Sequence, residues 1–137
     1  MVPFKNLSAF DGAPPKDDEN RKIAGGPLYS LSEVQALTQQ TDALKLWTRR
    51  CIQDVAKLGF DTDDVGGLIR ELSEQDYRDS EWCDNGKEAW AACDAYMLKR
   101  LEFIETAGKY LRIDYFLKFA LGKTGKLLLI VSCHTSN

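Results

Sequence analysis

Apolar and polar positions change rhythm about halfway along the chain. In the first half the spacing is helical. Leu31, Val34, Leu37 and Thr38 follow Ser30, which forms a capping-box pair with Glu33, so a helix is predicted from there to about Gln40. Ala43–Trp47 reads as a short extended segment. A second helix is predicted from Thr48 to a C′ glycine at Gly59, with Ile52, Val55, Ala56 and Leu58 on its apolar face. Thr62 is the expected cap of a third helix running to about Leu72, with Asp63 and Asp64 at its positive end and Leu68, Ile69 and Leu72 facing the core. Its Gly66-Gly67 pair signals either a weak turn of helix or a close approach by another element.

Beyond Leu72 the rhythm shortens. Tyr77–Cys83 reads as extended, and Asp84-Asn85-Gly86-Lys87 is a strong hairpin signal. Glu88–Thr106 reads two ways: its Ala-rich composition favours a helix, while its place between two turns in a strand series favours at least one strand. Lys109–Phe119 begins with clear alternation and reads as a strand. Gly122–Gly125 turns it into Lys126–His134, whose aliphatic run Leu127–Val131 predicts an inner strand buried on both faces. The expected fold class is α+β, with N-terminal helices packed on a C-terminal, mainly antiparallel sheet. Residues 1–28 hold all four prolines and show no periodicity, so they are expected to form a flexible N-terminal tail, docked by Phe4 and Phe10, ahead of a single domain over 29–137.

Composition narrows the chemistry. The net charge of −3 conceals an asymmetry: residues 1–94 carry 11 Lys and Arg against 18 Asp and Glu, and residues 95–137 carry 7 against 3. The acidic total argues against non-specific nucleic-acid binding, yet the basic C-terminal sheet is able to hold a polyanion locally, the bland alternative being solvated strand edges. Cys51, Cys83, Cys93 and Cys133 contain no C-x-x-C pair and read as free thiols of a cytoplasmic protein; neither metal nor cofactor is expected. No stretch has the length of a membrane span or the charged flank of a signal peptide. Gly122–Lys126 lacks the spacing and the following helix of a phosphate loop and reads as a hairpin turn, while Asp61–Asp64 reads as helix capping rather than a calcium loop.

The only histidine, His134, lies where the last strand leaves the core. Tyr110 and Arg112 alternate onto one face of their strand. If the 122–125 turn pairs the two strands with equal arms, Tyr110 and Arg112 come beside Cys133 and His134. A phenol, a guanidinium and an imidazole on one rim are equipment for phosphodiester cleavage, the guanidinium neutralising the phosphorane while the other two move protons.

The run Leu58-Gly59-Phe60-Asp61, then Leu72–Ser80, Trp90, Asp94-Ala95-Tyr96, Gly108–Ile113 and Leu129–Ser132, resembles the toxin of the motility quorum-sensing regulator (MqsR) family in order and spacing over roughly residues 30–134. The resemblance implies a RelE-like fold and a bacterial type II toxin. Such a toxin is a metal-independent endoribonuclease, an mRNA interferase, neutralised by a cognate DNA-binding antitoxin. It implies attack of a 2′-hydroxyl on the adjacent phosphate, leaving a cyclic phosphate end. Carried over residue by residue, the family's strand tyrosine falls on Tyr110 and its basic residue on Arg112. A lysine near the end of the last strand falls on His134. A second active-site lysine falls on Asp79, with Arg78 beside it as the substitute cation, and a glutamine falls on Ala91 or, with an insertion, on Cys93. Tyr110, His134, Arg112 and Arg78 are thus the candidate catalytic residues, with Lys109, Lys87 and Tyr96 expected to contact RNA. Asp79 and Ala91 depart from the pattern, which keeps a non-catalytic RNA- or protein-binding module as the alternative; a redox or metal role for the cysteines ranks third.

Overall fold

The computed structural model describes residues 5–16, 20–87 and 89–136. Among these, a mostly antiparallel seven-stranded sheet packs against three helices. The strands are β1 (Lys5–Asn6), β2 (Lys22–Ile23), β3 (Leu44–Leu46), β4 (Tyr77–Asp84), β5 (Ala89–Ile104), β6 (Lys109–Leu121) and β7 (Leu128–Thr135); the helices are α1 (Leu31–Leu37), α2 (Arg49–Lys57) and α3 (Thr62–Glu71). Sheet order is β2-β4-β5-β6-β7-β3, with β1 alongside β5. Neighbours are antiparallel except β1–β5 and β3–β7. No helix among the described residues is long and apolar enough to cross a membrane.

The helices form where their caps place them. Ser30 accepts from the Glu33 amide, Thr48 from the Cys51 amide, and Gly59 (φ +72°) ends α2 in the left-handed region. α3 is capped by Asp61 rather than Thr62: Asp61 and Asp64 exchange side-chain bonds with each other's amides at 2.9 Å. Its glycines do not interrupt it. A Cβ on Gly66 would lie 3.4 Å from Thr38 Cβ and 3.5 Å from a Leu44 methyl, so the glycine marks close contact with the neighbouring elements.

β7 is an inner strand, as its aliphatic run predicts, with Leu128–Val131 buried between β6 and β3. Leu117, Phe119, Ile130 and Cys133 face the helices with Tyr96, whose ring stacks on Phe119 at 5.5 Å. Residues 89–104 form one long strand, against their helical propensity. β4 on one side and β6 on the other satisfy its backbone, and its small residues Ala91, Ala92 and Ala95 are fully buried where bulkier ones would not fit.

The segment read as a tail is built into the sheet. β5 and β6 splay apart near Trp90 and Leu121, and residues 5–9 wedge between them. Leu7 N–H donates to Trp90 O at 2.8 Å, Ala9 N–H to Leu121 O at 2.7 Å, and Ala92 N–H to Ser8 Oγ at 3.0 Å. Phe10 docks edge-on against Trp82 at 5.8 Å; Phe4 and residues 17–19 lie outside the described set. Further on, β2 extends the sheet beyond β4, and buried Asp94 clamps the chain entering α1. Its carboxylate accepts from the Leu28 and Tyr29 amides and, at 2.6 Å, from Ser80 Oγ. Burial pushes the Asp94 pKa up, and these donors offset only part of that rise. The boundary at residue 28 is therefore not a structural one for the described residues.

Candidate functional site

Strand pairing decides which predicted residues meet. Along β6, Tyr110, Arg112, Asp114, Phe116 and Lys118 alternate onto the face away from the helices. β5 contributes Lys99, Leu101 and Phe103 to that face, opposite Asp114, Arg112 and Tyr110. β7 contributes Ser132 and His134, opposite Lys118 and Phe116. Tyr110, Arg112 and His134 thus share a face, as their alternation implies.

They do not share a point. The expected pairing of Tyr110 and Arg112 with Cys133 and His134 is corrected by the register, in which Phe116 faces His134 and Leu117 faces Cys133. The turn reaches to Leu127, and a bulge gives β7 an extra residue at Val131, so equal-arm counting fails. Tyr110 is six residues from Phe116, which places it roughly 20 Å from His134 at about 3.3 Å per strand residue. Cys133 is buried in the core.

Two subsites result. The first surrounds Asp114. Arg112 holds it with bonds of 2.9 and 3.3 Å, and Lys99 and Arg78 add positive field. The hydrogen bonds from Arg112, against slight desolvation, keep the Asp114 carboxyl below the usual range. Arg78 reaches this cluster because it is the bulged residue between Tyr77 and Asp79. Past Asp114, β5 outruns β4 and β6 outruns β7, leaving a two-stranded ribbon. Leu101, Phe103 and Tyr110 are 70, 52 and 68% exposed on it, and the Phe103 and Tyr110 rings meet edge-on at 5.3 Å.

The second subsite lies at the outer edge of β7. His134 packs its ring 5.3 Å from Phe116, with Nδ1 3.0 Å from Thr135 O. A hollow of about 360 Å³ opens beside it, lined by Arg50, Asp54, Thr135 and Ser136. Arg50 is exposed and 4.0 Å from Asp54, which presents an imidazole, a carboxylate and a guanidinium to one small space.

Farther from the ribbon, across β6, β4 and β2, runs a network of charges. Lys118 bonds Glu81, and Lys22 lies 3.4 Å from Glu81 and 2.5 Å from Asp79. Desolvation raises the Glu81 pKa, but Lys118 and Lys22 outweigh it and hold the carboxyl below its ordinary value. Asp79, beside Arg78, is thus neutralised by Lys22 from the N-terminal segment. Below it, the neighbouring Cys93 thiol, aided by Lys118, lowers the Cys83 pKa against the effect of burial.

The expected RNA contacts divide. Lys109 is exposed on the ribbon and Lys87 in the β4–β5 turn. Tyr96 is corrected: at 1% exposure, between Tyr77 and Phe119, it is a core residue. Ala91 and Cys93 are fully buried and offer nothing to a ligand. Sequence reasoning missed Lys99 and Phe103, whose alternation was hidden by the helical composition of β5. It also missed Arg50 and Asp54, brought to His134 only by the docking of α2 along β7. All four cysteines are free and buried. No protein-family model matches the chain, and no curated protein sequence matches it.

Proposed function

We propose that this protein acts on RNA as the toxin of a type II toxin–antitoxin pair with a RelE-like fold, a cytoplasmic mRNA endoribonuclease held in check by a DNA-binding antitoxin. The observation that carries the reading is the face described above. Cations at Arg78, Lys99 and Arg112 adjoin exposed rings at Phe103 and Tyr110, the pairing of charge and stacking surface that suits single-stranded RNA. His134 lies farther along the same face, on β7.

The geometry divides the labour. Tyr110 and His134, roughly 20 Å apart, are too distant to serve one phosphate, since a proton-transfer group must lie within hydrogen-bond reach. Tyr110, Arg112 and Arg78 hold the strand. Cleavage belongs to the hollow at His134. There the imidazole and Asp54 move the protons of 2′-hydroxyl attack and 5′-oxygen departure, and Arg50 stabilises the phosphorane. The product is a 2′,3′-cyclic phosphate.

The second reading, a binding module without catalysis, is favoured by the neutralisation of Arg112 by Asp114 and by the dispersal of the predicted quartet. RNA incubated with the protein in EDTA separates the two. His134→Ala is expected to lower the cleavage rate by about 10²–10⁴ without weakening binding, and Tyr110→Ala to weaken binding with little change in rate. Equal cleavage by wild type and His134→Ala would defeat the catalytic assignment. Binding with no cleavage by the wild type would leave the module.

A further inference from the structure

The sheet curls until the β4–β5 turn comes opposite β3 and the start of α2. A cleft of about 650 Å³ lies between them, distinct from the hollow at His134, whose Arg50 and Asp54 come from the same helix. Three cations from three separate elements line it: Lys45 of β3, Arg49 of α2 and Lys87 of the turn. All three are exposed, and none is ion-paired to a described carboxylate. No acidic residue is among the described residues lining it. In a chain of net charge −3, three such cations around one hollow form a strong local positive field. Among the described residues of the turn the carboxylate is Asp84, and it is held by Arg21 at 3.0 Å. The wall is apolar: Leu46, the edge of Trp47, and Ile52, which is 51% exposed.

We propose that this cleft anchors the backbone of a single-stranded RNA, with Lys45, Arg49 and Lys87 on successive phosphates and Ile52 and Trp47 flanking a ribose or base. The inference rests on the RNA reading above and extends it to a second contact region. Phosphate spacing along a strand suits cations spread around a rim better than a single anion does, and the apolar wall suits the less charged parts of the same chain.

The test is fluorescence anisotropy with a labelled 12-nucleotide RNA over a series of salt concentrations. It compares wild type with the triple variant Lys45→Ala/Arg49→Ala/Lys87→Ala, and with Lys57→Ala as an exposed control on α2. The triple variant should bind at least tenfold more weakly and lose about 2 from its log–log salt slope, at about 0.7 per phosphate contact for single strands. Lys57→Ala should match wild type. Thermal melting checks the fold; if the triple variant is destabilised, Lys87→Gln and Lys45→Gln alone should each remove about 0.7 of slope. Unchanged affinity and slope, with RNA still bound by the wild type, would overturn the cleft while leaving the RNA reading intact. Wild type that binds no RNA would overturn both. Binding of polyglutamate in place of RNA, lost in the triple variant, would assign the cleft to an acidic protein and overturn the RNA assignment.

Discussion

β5 passes through two environments. From Trp90 to Tyr96 each residue is buried, between β4, β6 and the N-terminal wedge; from Leu101 to Ile104 exposed residues alternate with half-buried ones on a ribbon with free edges. The partner strand repeats the contrast, with Phe119 stacked on Tyr96 at one end and Tyr110 against Phe103 at the other. Two aromatic pairs thus sit on one hairpin at similar separations. The inner pair is enclosed and contributes to stability. The outer pair, left in water, is available to a ligand, because ring contact alone is worth little beside the area removed from water.

Breaking the inner pair should have the largest effect. Phe119→Ala is expected to cost about 3–5 kcal/mol, read as a lower urea midpoint, since the ring is 1% exposed and leaves a cavity against Tyr96. An intermediate effect is expected from the charges on the outer face of the enclosed half. The Glu81 carboxyl is lowered on folding, so its contribution is present above its unfolded value of about 4.3 and is lost as pH falls through the folded one. Glu81→Gln should remove that portion of the acid-limb slope when stability is compared between pH 6 and pH 3. A variant with the wild-type slope would show that Lys118 and Lys22 do not bind Glu81 as described. The smallest change in stability belongs to the outer pair. Phe103→Ala should alter the urea midpoint by no more than about 0.5 kcal/mol while weakening RNA binding by about 1–3 kcal/mol. A large loss of stability would make the ribbon part of the core and end the contrast.

What could be read from the residues follows the same division. α2 and β7 were legible because their information is local: a cap, a terminal glycine, an unbroken aliphatic run. β5 was not, because its Ala-rich beginning is helical by propensity and only the approach of Leu7, Ser8 and Tyr29 explains why small residues are needed there. The N-terminal wedge was hidden for a related reason: it is held largely through backbone groups, which leave no mark on side-chain periodicity. For the candidate site, alternation correctly put Tyr110 and Arg112 on one face, and the register then put His134 on it too. The separation along that face was not legible, since it depends on the reach of a turn and on one bulged residue. Arg50 and Asp54 belong to a helix four-score residues earlier in the chain than His134, at positions 50 and 54, and nothing local announces their meeting.

The bulge at Val131 acts as a phase shift. Before it, even-numbered residues of β7 point to the helices; after it, odd-numbered ones do. Drawing Val131 into regular pairing opposite Lys118, with no residue left over, would exchange the two faces of the strand beyond it. Cys133 would come out into solvent and His134 would be driven into the core, so that a proton-transfer group would be traded for an oxidisable thiol without altering either residue.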